Sequence, residues 1–236
     1  MDQMRTFTLR GMEFSLPETA VRGGLGKALE SGRYEHTEAD AVERHLVEGD
    51  RFADFGAGMG YLCALAARRI GAVAVTGVEA GPKTIRLARK NLQENGFGKV
   101  RLIHGAVTGE GETAAEVEFC QRQAFWASSL RNLAQRAGRD LPQSVPVTQV
   151  PALPAARLLD ELQPTVLSCD IEGAELEVLR ADMPAALRLI ICEIHPALYG
   201  PEGTRQIFDA LARQGFAYEP EGSRGATVVF RRIGSP

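Results

Sequence analysis

Long hydrophobic runs are missing from this chain of 236 residues. No stretch approaches the roughly 20 apolar residues that a membrane-spanning helix needs. The opening MDQMRTFTLRGMEF carries no apolar segment of the kind that directs secretion. Basic blocks are missing too. The 27 Lys and Arg are scattered among 30 Asp and Glu, for a net charge of −3. Nothing in that balance favours a nucleic-acid face, and no nucleic-acid partner is expected. Cysteine is scarce: Cys63, Cys120, Cys169 and Cys192 lie far apart, with no C-x-x-C pair and no Cys/His zinc spacing. They read as buried, reduced thiols of a cytoplasmic protein. Internal repeats and low-complexity tracts are absent as well. What remains is an ordinary globular composition, 44% hydrophobic and 24% charged, long enough to bury a full core.

The most informative stretch is RFADFGAGMGY, residues 51–61. A short apolar run meets Asp54, and then Gly56, Gly58 and Gly60 alternate with Ala57 and Met59. Glycines so placed let a strand turn sharply into a helix while the backbone lies against a ligand. The helix start adds unpaired N–H donors. A nucleoside-type cofactor at the first core strand is the expectation.

Residues 6–16 alternate apolar and polar around a glycine and predict a hairpin. Residues 38–47 have helical spacing. Strand and helix patterns then alternate: strands at 73–79, 100–104, 165–170 and 187–195, and helices opening at Pro82 and covering 155–162, 172–180 and 203–213. Residues 109–150 are the least regular, with a strand at 117–120 and a loop around Trp126. Two strands joined by a Gly222–Gly225 turn close the chain. Alternating β and α elements imply a doubly wound, mostly parallel sheet of α/β type. We divide the chain into an N-terminal extension, residues 1–48, and a cofactor-binding domain, residues 49–236.

Three features choose the cofactor. The dinucleotide fingerprint is G-x-G-x-x-G, whereas the spacing here is G-x-G-x-G. Asp54 would repel a pyrophosphate and attract an ammonium or sulfonium. The closing hairpin is unusual for a dinucleotide domain. Glu79 ends the second strand where an acid takes ribose hydroxyls in either class. S-adenosyl-L-methionine therefore fits better than a nicotinamide dinucleotide.

A second cluster follows two later strands. CDIEGAELE runs over residues 169–177 and CEIHP over 192–196. The carboxyl ends of parallel strands form the ligand crevice, so Asp170, Glu172, Glu193 and His195 should converge near the glycines. Helix capping by Asp170 and Glu172 is the plainer reading for those two residues. It does not account for acids and an imidazole at the ends of two strands.

Taken together, RYE at 33–35, DFGAGMG at 54–60, VEA at 78–80, DIEGAELEVL at 170–179 and EIHP at 193–196 resemble the FkbM family of S-adenosylmethionine-dependent methyltransferases. Cys169 stands where a Lys often precedes the Asp in that family. The resemblance implies a class I, Rossmann-like, seven-stranded sheet with an antiparallel last pair. It implies methyl transfer to a hydroxyl of a small molecule, sugar or lipid. On that reading Asp54, Gly56, Ala57, Gly58, Gly60, Glu79, Ala80 and Asp170 hold the cofactor. His104, Gly105 and Ala106 border the adenine.

An alcohol needs its proton removed during attack, and His195 is the first choice of base, with Asp170 or Glu193 orienting it or serving in its place. Tyr34 and Glu35 should cover the pocket, and Trp126 and Glu172 should face the acceptor. A divalent ion among Asp170, Glu193 and His195 is a competing arrangement. Two rival functions stay open: an NAD(P)-dependent oxidoreductase and a non-catalytic cofactor-binding module. The acceptor and the oligomeric state have no signal in the sequence.

Overall fold

The structure is a computed structural model that describes residues 3–120, 129–130 and 145–234. Strands β1 (Met4–Leu9) and β2 (Met12–Pro17) pair antiparallel as a hairpin. Helices α1 (Gly24–Glu30) and α2 (His36–His45) lead to the first core strand, β3 (Phe52–Phe55). Then follow α3 (Tyr61–Ile70), β4 (Val75–Glu79), α4 (Pro82–Glu94) and β5 (Arg101–His104). A second group comprises β6 (Ala106–Thr108), β7 (Glu116–Cys120), β8 (Ser129–Leu130) and β9 (Val147–Pro154). The chain closes with α5 (Ala155–Leu162), β10 (Val166–Cys169), the single turn α6 (Glu175–Val178), β11 (Leu189–Glu193), α7 (Pro196–Arg213), β12 (Phe216–Arg224) and β13 (Thr227–Arg232).

The main sheet has seven strands in the order β12-β13-β11-β10-β3-β4-β5. Pairing is parallel from β11 through β5, and β13 runs antiparallel to both β11 and β12. Chain order turns back between β3 and β10. Such a reversal opens a crevice beyond the strand ends.

Side chains of a strand alternate between the faces of a sheet, and here the alternation feeds two cores. Phe52, Val166, Leu189 and Ile191 pack with the hairpin, α1, α2 and α3. Ala53, Leu167, Ile190 and Cys192 pack with α5, α6 and α7 on the other face. The hairpin is thus one wall of a core. Phe14 is fully buried and meets Tyr61 edge-on, with ring centroids 5.4 Å apart. Asn91, buried in α4, ties the hairpin to the glycine turn: its Oδ1 accepts from Ser15 N–H at 3.0 Å and its Nδ2 donates to Met59 O at 3.1 Å.

Local chemistry explains where the elements depart from the sequence pattern. The second strand begins at Val75, because Ala72–Ala74 form a 3-10 turn that leaves Val73 80% exposed. The helix expected over 172–180 shrinks to α6, since Glu172 (φ 53) and Gly173 (φ 106) are left-handed and cannot be turns of a right-handed helix. The strand expected to reach His195 stops at Glu193, and Pro196, with φ suited to a first helical position, opens α7. The irregular region holds β6 to β9 as a small four-stranded sheet. Trp126 lies outside the described residues. No helix of the described residues is long and apolar enough to cross a membrane.

Candidate active site

The glycine turn is held by backbone bonds to the neighbouring strand. The N–H groups of Gly56 and Ala57 both donate to Val78 O at 3.0 Å. Gly56 has φ 94, and a Cβ there would sit 1.8 Å from Asp170 O. Only glycine lets the turn pass so close to the tip of β10. Gly60, left-handed at φ 87, caps α3 and packs on Ala88 and Leu92 of α4.

Glu79 ties the turn to the end of β4. Its Oε2 accepts from Gly58 N–H at 2.9 Å and its Oε1 from Gly81 N–H at 2.6 Å. Burial outweighs these donors and pushes its carboxyl up to about 7. Glu79, Ala80, Gly56, Gly58, Gly105 and Ala106 line a crevice whose opposite wall is apolar, made by Val107, Phe119 and Leu130. An acid on one side and flat apolar surface on the other suit a nucleoside, with ribose hydroxyls at Glu79 and the base between the walls. The crevice is narrow, about 80 Å³.

Other expected cofactor residues sit behind this wall. Asp54 shares a face with Phe52 and points towards α3, 2% exposed, where it accepts from Cys63 Sγ at 3.3 Å. Burial pushes it up to about 6 against the bonds from Cys63 and Ser168. Asp54, Ala57 and Gly60 therefore support the turn from beneath and are not among the residues lining the crevice. His104 is also off the crevice, exposed, with Nε2 3.1 Å from Ala80 O.

The second cluster forms at the tips of β10 and β11. Asp170 N–H donates to Phe55 O at 3.0 Å, which sets the residue beside the glycine turn. His195 caps α7, and its ring lies between three acids. Nε2 is 3.7 Å from Asp170 Oδ1 and 3.8 Å from Glu172 Oε2, and Nδ1 is 3.4 Å from Glu175 Oε1. Glu175 is completely buried. Its Oε1 accepts from Ile171 N–H at 2.9 Å and Gly173 N–H at 3.2 Å, and its Oε2 accepts from Gly173 N–H at 3.0 Å. Burial lowers the His195 pKa, but Glu175, Glu172 and Glu193 outweigh it and push the imidazole up to about 9. Asp170 is raised well above the carboxylate range by burial and then by Glu193 and Glu172. Glu193 is raised by burial and by Glu38, opposed by His195 and a hydrogen bond with Asp170.

Sequence reading missed two parts of this site. Glu175 stands inside the DIEGAELE motif but looks like an ordinary acid of a helix first turn. The Phe119 and Leu130 wall comes from the region with the weakest periodicity.

The metal expected among Asp170, Glu193 and His195 meets a different donor set. Asp170, Glu175 and His195 are the residues that each bring a ligand atom within 4.8 Å of the others. Glu193 is not in that group. Glu175 is committed to the Ile171 and Gly173 amides, and it faces Nδ1 while Asp170 faces Nε2. Among the described residues the converging set therefore has Glu175 in place of Glu193.

Tyr34, Glu35, Asp170 and Glu172 line the crevice and also a second, wider cavity of about 650 Å³. Glu38, Glu193, His195 and Thr227 complete the second cavity. Strand order, glycine turn and strand-end acid together define a class I, Rossmann-like methyltransferase fold. Residues 54–218 match the methyltransferase FkbM domain, and the chain belongs to that family. A ribosomal protein L11 methyltransferase of Desulfosudis oleivorans is 40% identical over 58 residues, 25% of this chain and 19% of that protein. The chain thus matches about a fifth of that relative's length. Among solved structures, Trm5b from Pyrococcus abyssi shares the fold at TM-score 0.55 and 14% identity, covering 98% of this chain and 56% of that one. TYW2 from M. jannaschii, solved with AdoMet, aligns at TM-score 0.50 and 12% identity, over 99% of this chain and 88% of that one.

Proposed function

We propose that this protein is an S-adenosylmethionine-dependent O-methyltransferase acting on a hydroxyl of a small molecule, sugar or lipid. One observation carries the reading: Tyr34, Glu35, Asp170 and Glu172 wall both the nucleoside crevice and the wider cavity. A donor and an acceptor held in the two spaces meet at these residues and at His195. S-adenosylmethionine, held between Glu79 and the apolar wall, would supply an electrophilic methyl, its sulfur leaving as a neutral thioether when the acceptor oxygen takes that methyl.

The chain aligns the reactants and removes a proton. Glu79 receives the ribose and the apolar wall receives the base. Glu175 faces Nδ1 of His195 and leaves Nε2 towards the wider cavity. Nε2 takes the hydroxyl proton as the oxygen attacks. In the cofactor-free protein the imidazole is pushed up to about 9, so it is protonated near neutral pH. A positive charge held in the adjoining crevice would lower that pKa and favour the neutral imidazole. Asp170 sets the edge of both spaces and accepts from whichever donor approaches it.

Methyl transfer from labelled S-adenosylmethionine, read across hydroxylated acceptors, is the test. His195→Ala should lower kcat by roughly 10²- to 10⁴-fold while S-adenosylhomocysteine affinity, measured by calorimetry, stays the same. Tighter binding of NAD than of S-adenosylhomocysteine would overturn the reading in favour of an oxidoreductase. Full activity in His195→Ala would remove the imidazole from the mechanism.

A further inference from the structure

Acids outnumber bases in the wall of the wider cavity. Glu35, Glu38, Asp170, Glu172 and Glu193 face it, whereas Arg33 and Arg224 are exposed residues of its rim and His195 is its inner cation. Three of these acids also border the nucleoside crevice, where a bound sulfonium offsets them. Glu38 and Glu193 do not: they face the wider cavity alone.

Glu38 is 7% exposed, and the partner of its Oε1 is the neutral hydroxyl of Thr227, at 2.5 Å. Among the described residues neither Glu38 nor Glu193 forms an ion pair with a Lys or Arg. Asp170, where the two spaces meet, also lacks a donor. Its Oδ1 is buried and has no hydrogen-bond partner, and a buried acceptor left unmade is costly enough to call for a donor. Repulsion among the acids points the same way: Asp170 feels Glu193 and Glu172, and Glu193 feels Glu38.

We infer that the acceptor is an amine-bearing hydroxyl compound, such as an amino sugar or amino alcohol. Its ammonium docks on Glu38 and Glu193 and its hydroxyl faces His195. This rests on the methyltransferase reading above. An ammonium brings both a positive charge and N–H donors to Glu38 and Glu193. A phosphate brings neither, and Glu38 and Glu193 repel it. Acceptors that present phosphates at the reacting group, nucleic acids included, are therefore rejected. The volume, about 650 Å³, suits a ligand of one to three sugar rings.

The full chain saturated with S-adenosylhomocysteine is titrated with matched sets of sugars and aminocyclitols. Each set holds the free amine, its N-acetyl twin and a phosphorylated twin, and Mg²⁺ alone is a separate arm. The free amine should bind at least tenfold tighter than its N-acetyl twin, with no measurable binding of the phosphorylated one. In Glu38→Gln, which keeps an acceptor for Thr227, that preference should fall below about threefold with S-adenosylhomocysteine affinity unchanged. Equal or reversed preference overturns the inference, as does a panel in which no free amine binds. Tight Mg²⁺ binding that is itself required for amine binding also overturns it, because the wall then serves a metal. Failure of wild-type protein to bind S-adenosylhomocysteine would sink the methyltransferase reading instead.

Discussion

The nucleoside crevice and the wider cavity beside it are built in opposite ways. The crevice floor comes from one continuous stretch, β3 to the start of α4, and its polar groups are paired: the amides of Gly56, Ala57, Gly58 and Gly81 all have acceptors. The cavity is assembled from α1, α2, the tips of β10 and β11 and the closing hairpin. Its acids repel one another, and Asp170 and His195 leave buried atoms without partners. A preformed floor suits a ligand shared by a whole fold class. An unfinished, charged wall suits a partner whose own groups complete it.

The largest break in this contrast should come from Gly56→Ala. The new Cβ would meet Asp170 O at 1.8 Å on a backbone at φ 94. Strain plus overpacking should cost about 2–5 kcal/mol of stability. Both halves should fail together, with a lowered Tm and weakened binding of S-adenosylhomocysteine. A variant of wild-type Tm and affinity would show that the turn can relax.

Next comes the pH dependence of the cofactor-free protein. Glu79 is raised from 4.5 to about 7 by burial, so the folded state holds its proton longer than the unfolded state. Stability from this group is therefore greatest below pH 4.5 and falls as pH rises to about 7. Linkage puts the loss at on the order of 2–3 kcal/mol. Denaturant melts at pH 5 and pH 8 should show this slope, and Glu79→Gln should flatten it. An unchanged slope in Glu79→Gln would place the titration elsewhere.

The smallest effect should be Glu175→Gln. It removes one negative charge facing Nδ1 of His195, 3.4 Å away. The imidazole pKa should drop and the acid limb of kcat/KM should move to lower pH. Loss of the carboxylate that faces the ring should cost roughly tenfold in kcat. An unmoved limb would separate Glu175 from the proton transfer and leave it only the Ile171 and Gly173 amides.

Much of the crevice was legible in the chain because its signals are local. Turn glycines, a strand-end acid and a proline-started helix each act within a few residues. Asp54 shows the limit. Its position beside the glycines suggested a ligand contact, but strand alternation turns it beneath the turn towards Cys63. Glu175 shows the reverse error. Nothing near it in sequence marks it as special, since its role depends on His195, which a separate strand brings 3.4 Å away.

By itself the sequence determined the doubly wound sheet, the glycine turn and the family, because periodicity and turn chemistry are short-range properties. Tertiary structure alone decided which acids face the crevice, which face the cavity and which imidazole nitrogen lies against Glu175. Those outcomes depend on distances between strand ends far apart in the chain, and on the burial that sets the charge each group carries.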